Sequence, residues 1–388
     1  MIKILDKSKC SGCHACLNIC PKQCIDMQED NEGFWYPQVD RDTCINCGLC
    51  EKVCPIINNK ERVNDTEAYA CINKDEKIRI KSSSGGIFTL LAESTINNDG
   101  VVFGAGFDEE LNLVHSYTDN IEGLEKFRGS KYLQSRIGES YKKVKEFLEK
   151  DIKVLFSGTP CQISGLWSYL GKEYENLICI DIICHGVPSP KVFKLYRTEL
   201  EKKYGSTTQR IAFRCKDYGW KLFSVLLSFN NNTEYRKDLN NDVYMKGFLQ
   251  NLYLRPSCYD CKSKTLNRLS DITIADFWGI QNIKPELDDD KGISLVLINS
   301  NKGKKIFNKL YDKMIVKEVN YNEAIKYNIS AVKSVDINPK RNKFFEKLDF
   351  YENNISKLIT KYTKVSHIKR CYRKIRSVLS KTKRNIFS

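Results

Sequence analysis

Short apolar runs separated by polar breaks fill the middle of the chain, and a three-to-four-residue repeat takes over at its end. Ala68-Tyr-Ala-Cys-Ile reads as a short strand, followed by a helical run from Ile87 to about Asn97 and a buried strand at Val101-Val-Phe-Gly-Ala-Gly-Phe. Ile152-Lys-Val-Leu-Phe is a further strand and Ser157-Gly-Thr a turn. Thr159 and Pro160 supply the N-cap and first position of a helix that reaches about Leu170. Asn176 to Ile183 is the next strand, and another helix begins after Pro190. This order predicts a βαβ unit with parallel strands and a right-handed crossover. Alternating apolar positions from Arg210 to Phe229 predict antiparallel strands, and Gly292-Ile-Ser-Leu-Val-Leu-Ile predicts one more strand. No glycine follows Gly303 and no proline follows Pro339, so helix is permitted to the end. There Leu358, Tyr362, Val365, Ile368, Tyr372, Ile375 and Leu379 form one apolar stripe.

Composition narrows the class. The 388 residues allow two or three domains, and 41% hydrophobic content suits a globular protein. No run of 18 apolar residues occurs, so no transmembrane helix is expected. Met1-Ile-Lys-Ile-Leu-Asp lacks the apolar core of a signal peptide, and a cytoplasmic location is expected. In that setting 17 cysteines argue for metal sites rather than a disulfide framework. The net charge is +15, but residues 356–388 hold eleven Lys or Arg and no acid. The basicity therefore belongs to the tail, which is expected to be a helix lying on an anionic membrane surface or packed on the body.

The cysteines carry the chemistry. Cys10, Cys13, Cys16 and Cys20-Pro21 form C-x2-C-x2-C-x3-C-P, and Cys44, Cys47, Cys50 and Cys54-Pro55 repeat it. Two such runs are the ligand pattern of a bacterial two-cluster ferredoxin. Each loop wraps three corners of one 4Fe-4S cubane, and its fourth cysteine reaches the other. The expected sets are Cys10, Cys13, Cys16 with Cys54, and Cys44, Cys47, Cys50 with Cys20. Zinc knuckles would need neither the third cysteine of each run nor the proline. Residues 1–58 are thus expected to be the ferredoxin unit, with Gly33-Phe-Trp-Tyr-Pro as a hairpin strand and 58–66 as a linker.

Cys161, Cys184, Cys258 and Cys261 form a second constellation. The first two follow the ends of adjacent parallel strands, the edge where open α/β sheets place ligands. Cys258-x2-Cys261 could fold over that edge. Four thiolates suit a third 4Fe-4S cluster or a structural zinc, and Cys161 alone could be a nucleophile. His185 reads as a neighbour that hydrogen-bonds a flavin or a cluster sulfur, or as a satisfied loop histidine. Cys24, Cys71, Cys179, Cys215 and Cys371 have no partner at ligand spacing. The turn Ser82-Ser83-Ser84-Gly85-Gly86 before a helix is either a phosphate cradle or a plain cap. No GxGxxG with a following acid supports a Rossmann site.

Six segments together resemble a known family. They are Ser83-Ser-Gly-Gly, Gly129-Ser-Lys-Tyr-Leu-Gln-Ser, Ser157-Gly-Thr-Pro-Cys-Gln-Ile, Cys184-His-Gly-Val-Pro-Ser-Pro, Arg255-Pro-Ser-Cys-Tyr-Asp-Cys and Asp271-Ile-Thr-Ile-Ala-Asp-Phe-Trp-Gly. Over residues 66–345 the chain resembles the coenzyme F(420) hydrogenase/dehydrogenase beta-subunit family, which reduces a deazaflavin coenzyme. The fused ferredoxin and Lys340-Arg-Asn-Lys-Phe-Phe place it with the bacterial branch, often associated with surface-polysaccharide biosynthesis. The resemblance implies FAD and a 4Fe-4S cluster in this region. It makes Ser83, Ser84, Gly85 and Gly86 candidate contacts for the flavin phosphates. Lys131 and Ser135 become candidate flavin or substrate contacts.

The expected architecture is α/β (α+β overall). A two-cluster ferredoxin (1–58) precedes a mixed, partly parallel body (66–150 and 151–345) and a basic helical tail (346–388). The expected function is an iron–sulfur flavoprotein oxidoreductase that passes electrons between the ferredoxin clusters and a flavin with its hydride acceptor. A non-catalytic electron-transfer or scaffold subunit is the alternative. Its partner would be a redox protein or a small hydride acceptor, not nucleic acid.

Overall fold

A computed structural model describes residues 1–364, so most of the basic tail lies outside the described residues. The first cysteine run sits on loops around a five-residue helix, Ala15–Ile19. Strands β1 (Ile25–Glu29) and β2 (Trp35–Val39) then form the expected antiparallel hairpin. Residues 59–66 have no regular structure, and Val63 in their midst is 92% exposed.

The body is built on an eight-stranded mixed sheet. Its strands are β3 (Glu67–Asn73), β4 (Val101–Phe107), β5 (Leu113–Thr118), β6 (Val154–Gly158), β7 (Leu177–Ile182), then β11, β12 and β13 below. Between β7 and β11 the chain leaves to make a three-stranded antiparallel sheet of β8 (Thr208–Cys215), β9 (Ser224–Phe229) and β10 (Glu234–Asp238). It returns as β11 (Ile272–Asp276), β12 (Ser294–Ile298) and β13 (Met314–Val319). The order across the large sheet is β13-β3-β12-β11-β7-β6-β4-β5. The centre, β4-β6-β7-β11, is parallel. Antiparallel β5 closes one flank, and antiparallel β12, β3 and β13 close the other.

The parallel centre explains the unbroken apolar runs. Val154, Leu155 and Phe156 and Leu177 to Ile180 are all buried, as strands covered on both faces must be. The Ile87–Ile96 helix packs on one face with Phe307 of a later helix. The Ser140–Glu149 and Pro160–Leu170 helices cover the other, and Cys13 and Ala15 join that same core. The Pro160–Leu170 helix begins as expected: Thr159 caps it, in a capping box with Gln162. A second core lies under the small sheet, around the Pro190–Tyr204 and Val243–Leu249 helices.

The C-terminal third departs from a continuous helix. Met314-Ile-Val-Lys-Glu-Val pairs with β3 as an edge strand, because its alternation satisfies a sheet edge that a helix would leave open. The apolar stripe starts as expected, but Ile355, Leu358 and Ile359 of the Ile355–Thr363 helix are fully buried in the small-sheet core. That part of the tail is spent on the body. Val365 to Leu379 lie outside the described residues. No helix among the described residues is long and apolar enough to cross a membrane.

Candidate redox site

The structure sorts the ferredoxin cysteines into two groups. Cys13 and Cys16 have Cys10 and Cys54 as electrostatic neighbours. Cys20 lines a separate cavity with Cys44, Cys47 and Cys50. The fourth cysteine of each run therefore stands with the other run's triad. Cys50 Sγ also accepts a hydrogen bond from Ile2 N (3.2 Å). Cys24 is an addition that spacing did not reveal. It is buried, with its sulfur 3.4 Å from that of Cys20, in the wall of the second group's cavity.

Cys161, Cys184, Cys258 and Cys261 come together from the ends of β6 and β7 and a 3-10 turn at Pro256–Asp260. They line one cavity of about 40 Å³. Val187 N donates to Cys258 Sγ (3.4 Å), and the Thr159 hydroxyl lies 3.2 Å from Cys161 Sγ. Ser8, Lys9 and Ser11 of the first cysteine loop form part of the same wall, and Lys9 is 3.3 Å from Asp260. Among the described residues no three Cys, His, Asp or Glu side chains converge on a single-ion site. Thiols spread around a cavity suit a cubane, whose irons stand between them; a lone zinc draws its four donors within about 2.3 Å.

Arg255 ties the ferredoxin unit to this region. Fully buried, it donates through Nε to Cys10 O (2.8 Å) and through Nη2 to Trp35 O (3.0 Å) and Cys10 Sγ (3.6 Å). Its Nη1 donates to Gln134 Oε1 (3.1 Å), and its guanidinium lies 4.3 Å from the Tyr36 ring centre.

Cys184, Gly186 and Val187 also face a second, much larger cavity, of about 620 Å³. It opens at the carboxyl ends of β6, β7 and β11, the crevice that open α/β sheets use for ligands. Ser83, Ser84 and Gly86 line it ahead of the Ile87–Ile96 helix, with Gly86 at φ +85° as the N-cap. Gly85 does not. Its N–H donates to Ser294 Oγ (3.0 Å), and a Cβ there would sit 2.4 Å from Cys71 O. Gly85 is a packing glycine, a correction to its place among the phosphate contacts. The hydroxyls are also engaged: Ser84 Oγ donates to Ile293 O (2.6 Å), and Ser83 Oγ accepts from Ser130 N (2.6 Å).

Lys131, Ser135 and His185 all line the large cavity. Burial, then Arg128, pushes the Lys131 ammonium down to about 7, and it donates only to Arg128 O (3.1 Å). His185 is satisfied by Asn251 Oδ1 (2.7 Å), and burial lowers it. The residue sequence reasoning missed is His115, on β5. Its Nε2 donates to Ser157 O (3.1 Å), so its Nδ1 is the acceptor for the Ser135 hydroxyl (2.9 Å). Gln162 Nε2 donates to Ser135 Oγ (2.9 Å), and Gln162 Oε1 accepts from Thr159 N (2.9 Å). Burial lowers His115 to about 4, so it is neutral at pH 7. A fixed tautomer therefore sits at the end of a chain that runs to Thr159, two residues from Cys161.

Comparisons with known proteins place both halves of this arrangement. Residues 151–324 match the family described as the C terminus of the beta subunit of coenzyme F420 hydrogenase/dehydrogenase, and residues 9–57 match "4Fe-4S dicluster domain". The F subunit of the F(420)H(2) dehydrogenase of Methanosarcina mazei is 22% identical over 214 residues, 49% of this chain and 58% of that one. The PorD subunit of the pyruvate synthase of Methanothermobacter marburgensis is 38% identical over 52 residues, 13% of this chain and 54% of that one. A chain of the F420-reducing [NiFe] hydrogenase complex from Methanosarcina barkeri aligns over 75% of this chain and 94% of its own, at 18% identity and a TM-score of 0.45. The chain spans somewhat over half the length of these curated relatives.

Proposed function

This chain belongs, over residues 151–324, to the coenzyme F420 hydrogenase/dehydrogenase beta-subunit family and is an iron–sulfur redox protein; we propose that it is a flavin-dependent oxidoreductase with three 4Fe-4S centres. One observation carries the reading. The four-thiol cavity has the first ferredoxin loop in one wall, through Ser8, Lys9 and Ser11. It shares Cys184, Gly186 and Val187 with the large cavity on its other side. Ferredoxin loops, third thiol group and ligand cavity are thus consecutive and in contact.

Cys10, Cys13, Cys16 and Cys54 would hold one cluster, Cys44, Cys47, Cys50 and Cys20 the second, and Cys161, Cys184, Cys258 and Cys261 the third. The large cavity suits FAD by volume and by its Ser83–Gly86 rim at a helix N-terminus, with Lys131 beside it. Clusters supply single electrons and a flavin exchanges them for a hydride. The chain's own part is to bind, to exclude water and to place a neutral His115 where Nδ1 holds the Ser135 proton.

The acceptor is a small molecule or a redox partner protein; relatives named as subunits of a dehydrogenase and a synthase make a partner reasonable. Service to surface-polysaccharide biosynthesis is part of the same proposal, drawn from the resemblance to the bacterial branch. Membrane contact through the tail rests on residues beyond 364.

The test is iron, sulfide and flavin per chain on anaerobically prepared protein. About twelve irons and one flavin are expected. About eight irons without flavin would make the chain an electron-transfer or scaffold subunit instead.

A further inference from the structure

The family-like segment ending in Asp276-Phe277-Trp278-Gly279 has no assigned role, and the structure gives it one. Asp276 closes β11 at the rim of the large cavity, and both of its oxygens are taken. Trp220 Nε1 donates to Oδ1 (2.8 Å), and Arg214 Nη1 pairs with Oδ2. Trp220 and Trp278 stack in parallel, 4.9 Å apart at 3°. Arg214, from β8, lies with its guanidinium 4.2 Å from the Phe223 ring centre and 5.5 Å from that of Trp278. Its Nη1 also donates to Tyr132 OH (3.3 Å).

Arg214 is 7% exposed, lines the cavity, and has no partner for Nε or Nη2. Those two nitrogens form one edge of the guanidinium, the edge whose parallel N–H groups match two oxygens of a carboxylate or phosphate. Asp276 occupies Nη1 and locks the plane, so the free edge is held in place.

The charges around the cavity point the same way. Arg128, Lys131, Arg214 and Lys221 line it, against Asp276 as the one acid in its described wall. Arg128 is paired with Glu125 and Lys221 with Asp288. Lys131 and the free edge of Arg214 remain unpaired. Lys131 adjoins the Ser83 rim through Ser130, whose N–H is donated to Ser83 Oγ. Arg214 belongs to a different, aromatic wall.

We propose that Arg214 binds an oxyanion, carboxylate or phosphate, of the second ligand of this cavity, the molecule that exchanges hydride with the flavin. The proposal rests on the flavin reading above and narrows the acceptor to anionic molecules. Trp278 and Phe223 beside the guanidinium favour one whose anion is attached close to a planar group.

The experiment follows melting temperature and flavin content of the full chain, prepared anaerobically, for wild type, Arg214→Gln and Arg214→Lys. Inorganic phosphate is titrated against chloride at equal ionic strength. Phosphate is expected to raise the wild-type melting temperature. Arg214→Gln should need about tenfold more phosphate for the same rise, while its flavin content stays at the wild-type level. Arg214→Lys keeps a charge beside Asp276 but loses the fork, so it reads the same loss should the Gln variant not fold. An unchanged phosphate response in the variants, or none in wild type, overturns the proposal. Loss of flavin from the folded Lys variant also overturns it, because Arg214 then serves the flavin's own phosphates. Wild-type protein without flavin would defeat the flavin reading separately, and the phosphate response would still report on Arg214.

Discussion

Gly165 faces Cys13 so closely that a Cβ on it would lie 2.8 Å from the Cys13 Cβ and 3.1 Å from its sulfur. The same added atom would meet Tyr141 OH at 2.8 Å. Gly165 stands one helical turn after Cys161, so a single helix touches a cysteine of the first ferredoxin group and carries one of the third thiol group. Tyr141, fully buried, has both Cys13 and Cys161 as electrostatic neighbours and donates to Gln162 O (2.7 Å).

Gly165→Leu should therefore push the first cysteine loop off the helix. Overpacking of this kind costs about 1–3 kcal/mol. Iron analysis and low-temperature EPR should show loss of the cluster nearest the body, with the second ferredoxin cluster retained. An unchanged EPR spectrum and iron content would mean that this contact does not hold the loop.

Arg255→Met should destabilise the whole chain rather than one site. The variant strands Cys10 O, Trp35 O and Gln134 Oε1 without their donor in a buried joint. Losing one partner of such a network costs on the order of 3 kcal/mol. Denaturant unfolding measures this, and Arg255→Lys should recover only part, since a lysine cannot reach three acceptors at once.

His115 makes stability depend on pH in a predictable sense. Its folded value of about 4 lies below the ordinary histidine value, so between pH 6.5 and 4 the unfolded chain binds more protons. Its contribution is complete above 6.5 and falls as pH drops towards 4, by on the order of 3 kcal/mol. His115→Gln should flatten that part of the stability profile, measured by chemical denaturation at fixed ionic strength. An identical slope in wild type and variant would show that His115 is not held neutral.

The eight ferredoxin cysteines were legible because their spacing is local: a short loop decides where three sulfurs point. Cys161 and Cys184 were legible because βαβ topology fixes where strand ends meet. His115 and Arg214 were not, since each sits on an antiparallel strand whose role appears only once the sheet places it beside the cavity. Gly85 shows the limit of a motif. It belongs to the Ser83–Gly86 turn, yet it serves the close approach of β3 and β12 rather than the cavity. Cys24 shows another, because its neighbour Cys20 is reached by packing and not by a ligand interval. The absence of glycine and proline after residue 339 permitted helix without requiring it. Pairing with β3 turned Met314–Val319 into a strand, and core burial claimed Leu358 before any surface could.

The contacts of Arg255 join residues 245 positions apart, and Arg341 pairs with Glu32 across 309. During synthesis the first cysteine loops leave the ribosome long before either arginine exists. The N-terminal segment must then wait, with its thiols ready, for a clamp made near the other end. Metal loading and completion of the chain become successive events, and the machinery that delivers iron meets a nascent protein whose earliest part is among the last to be secured.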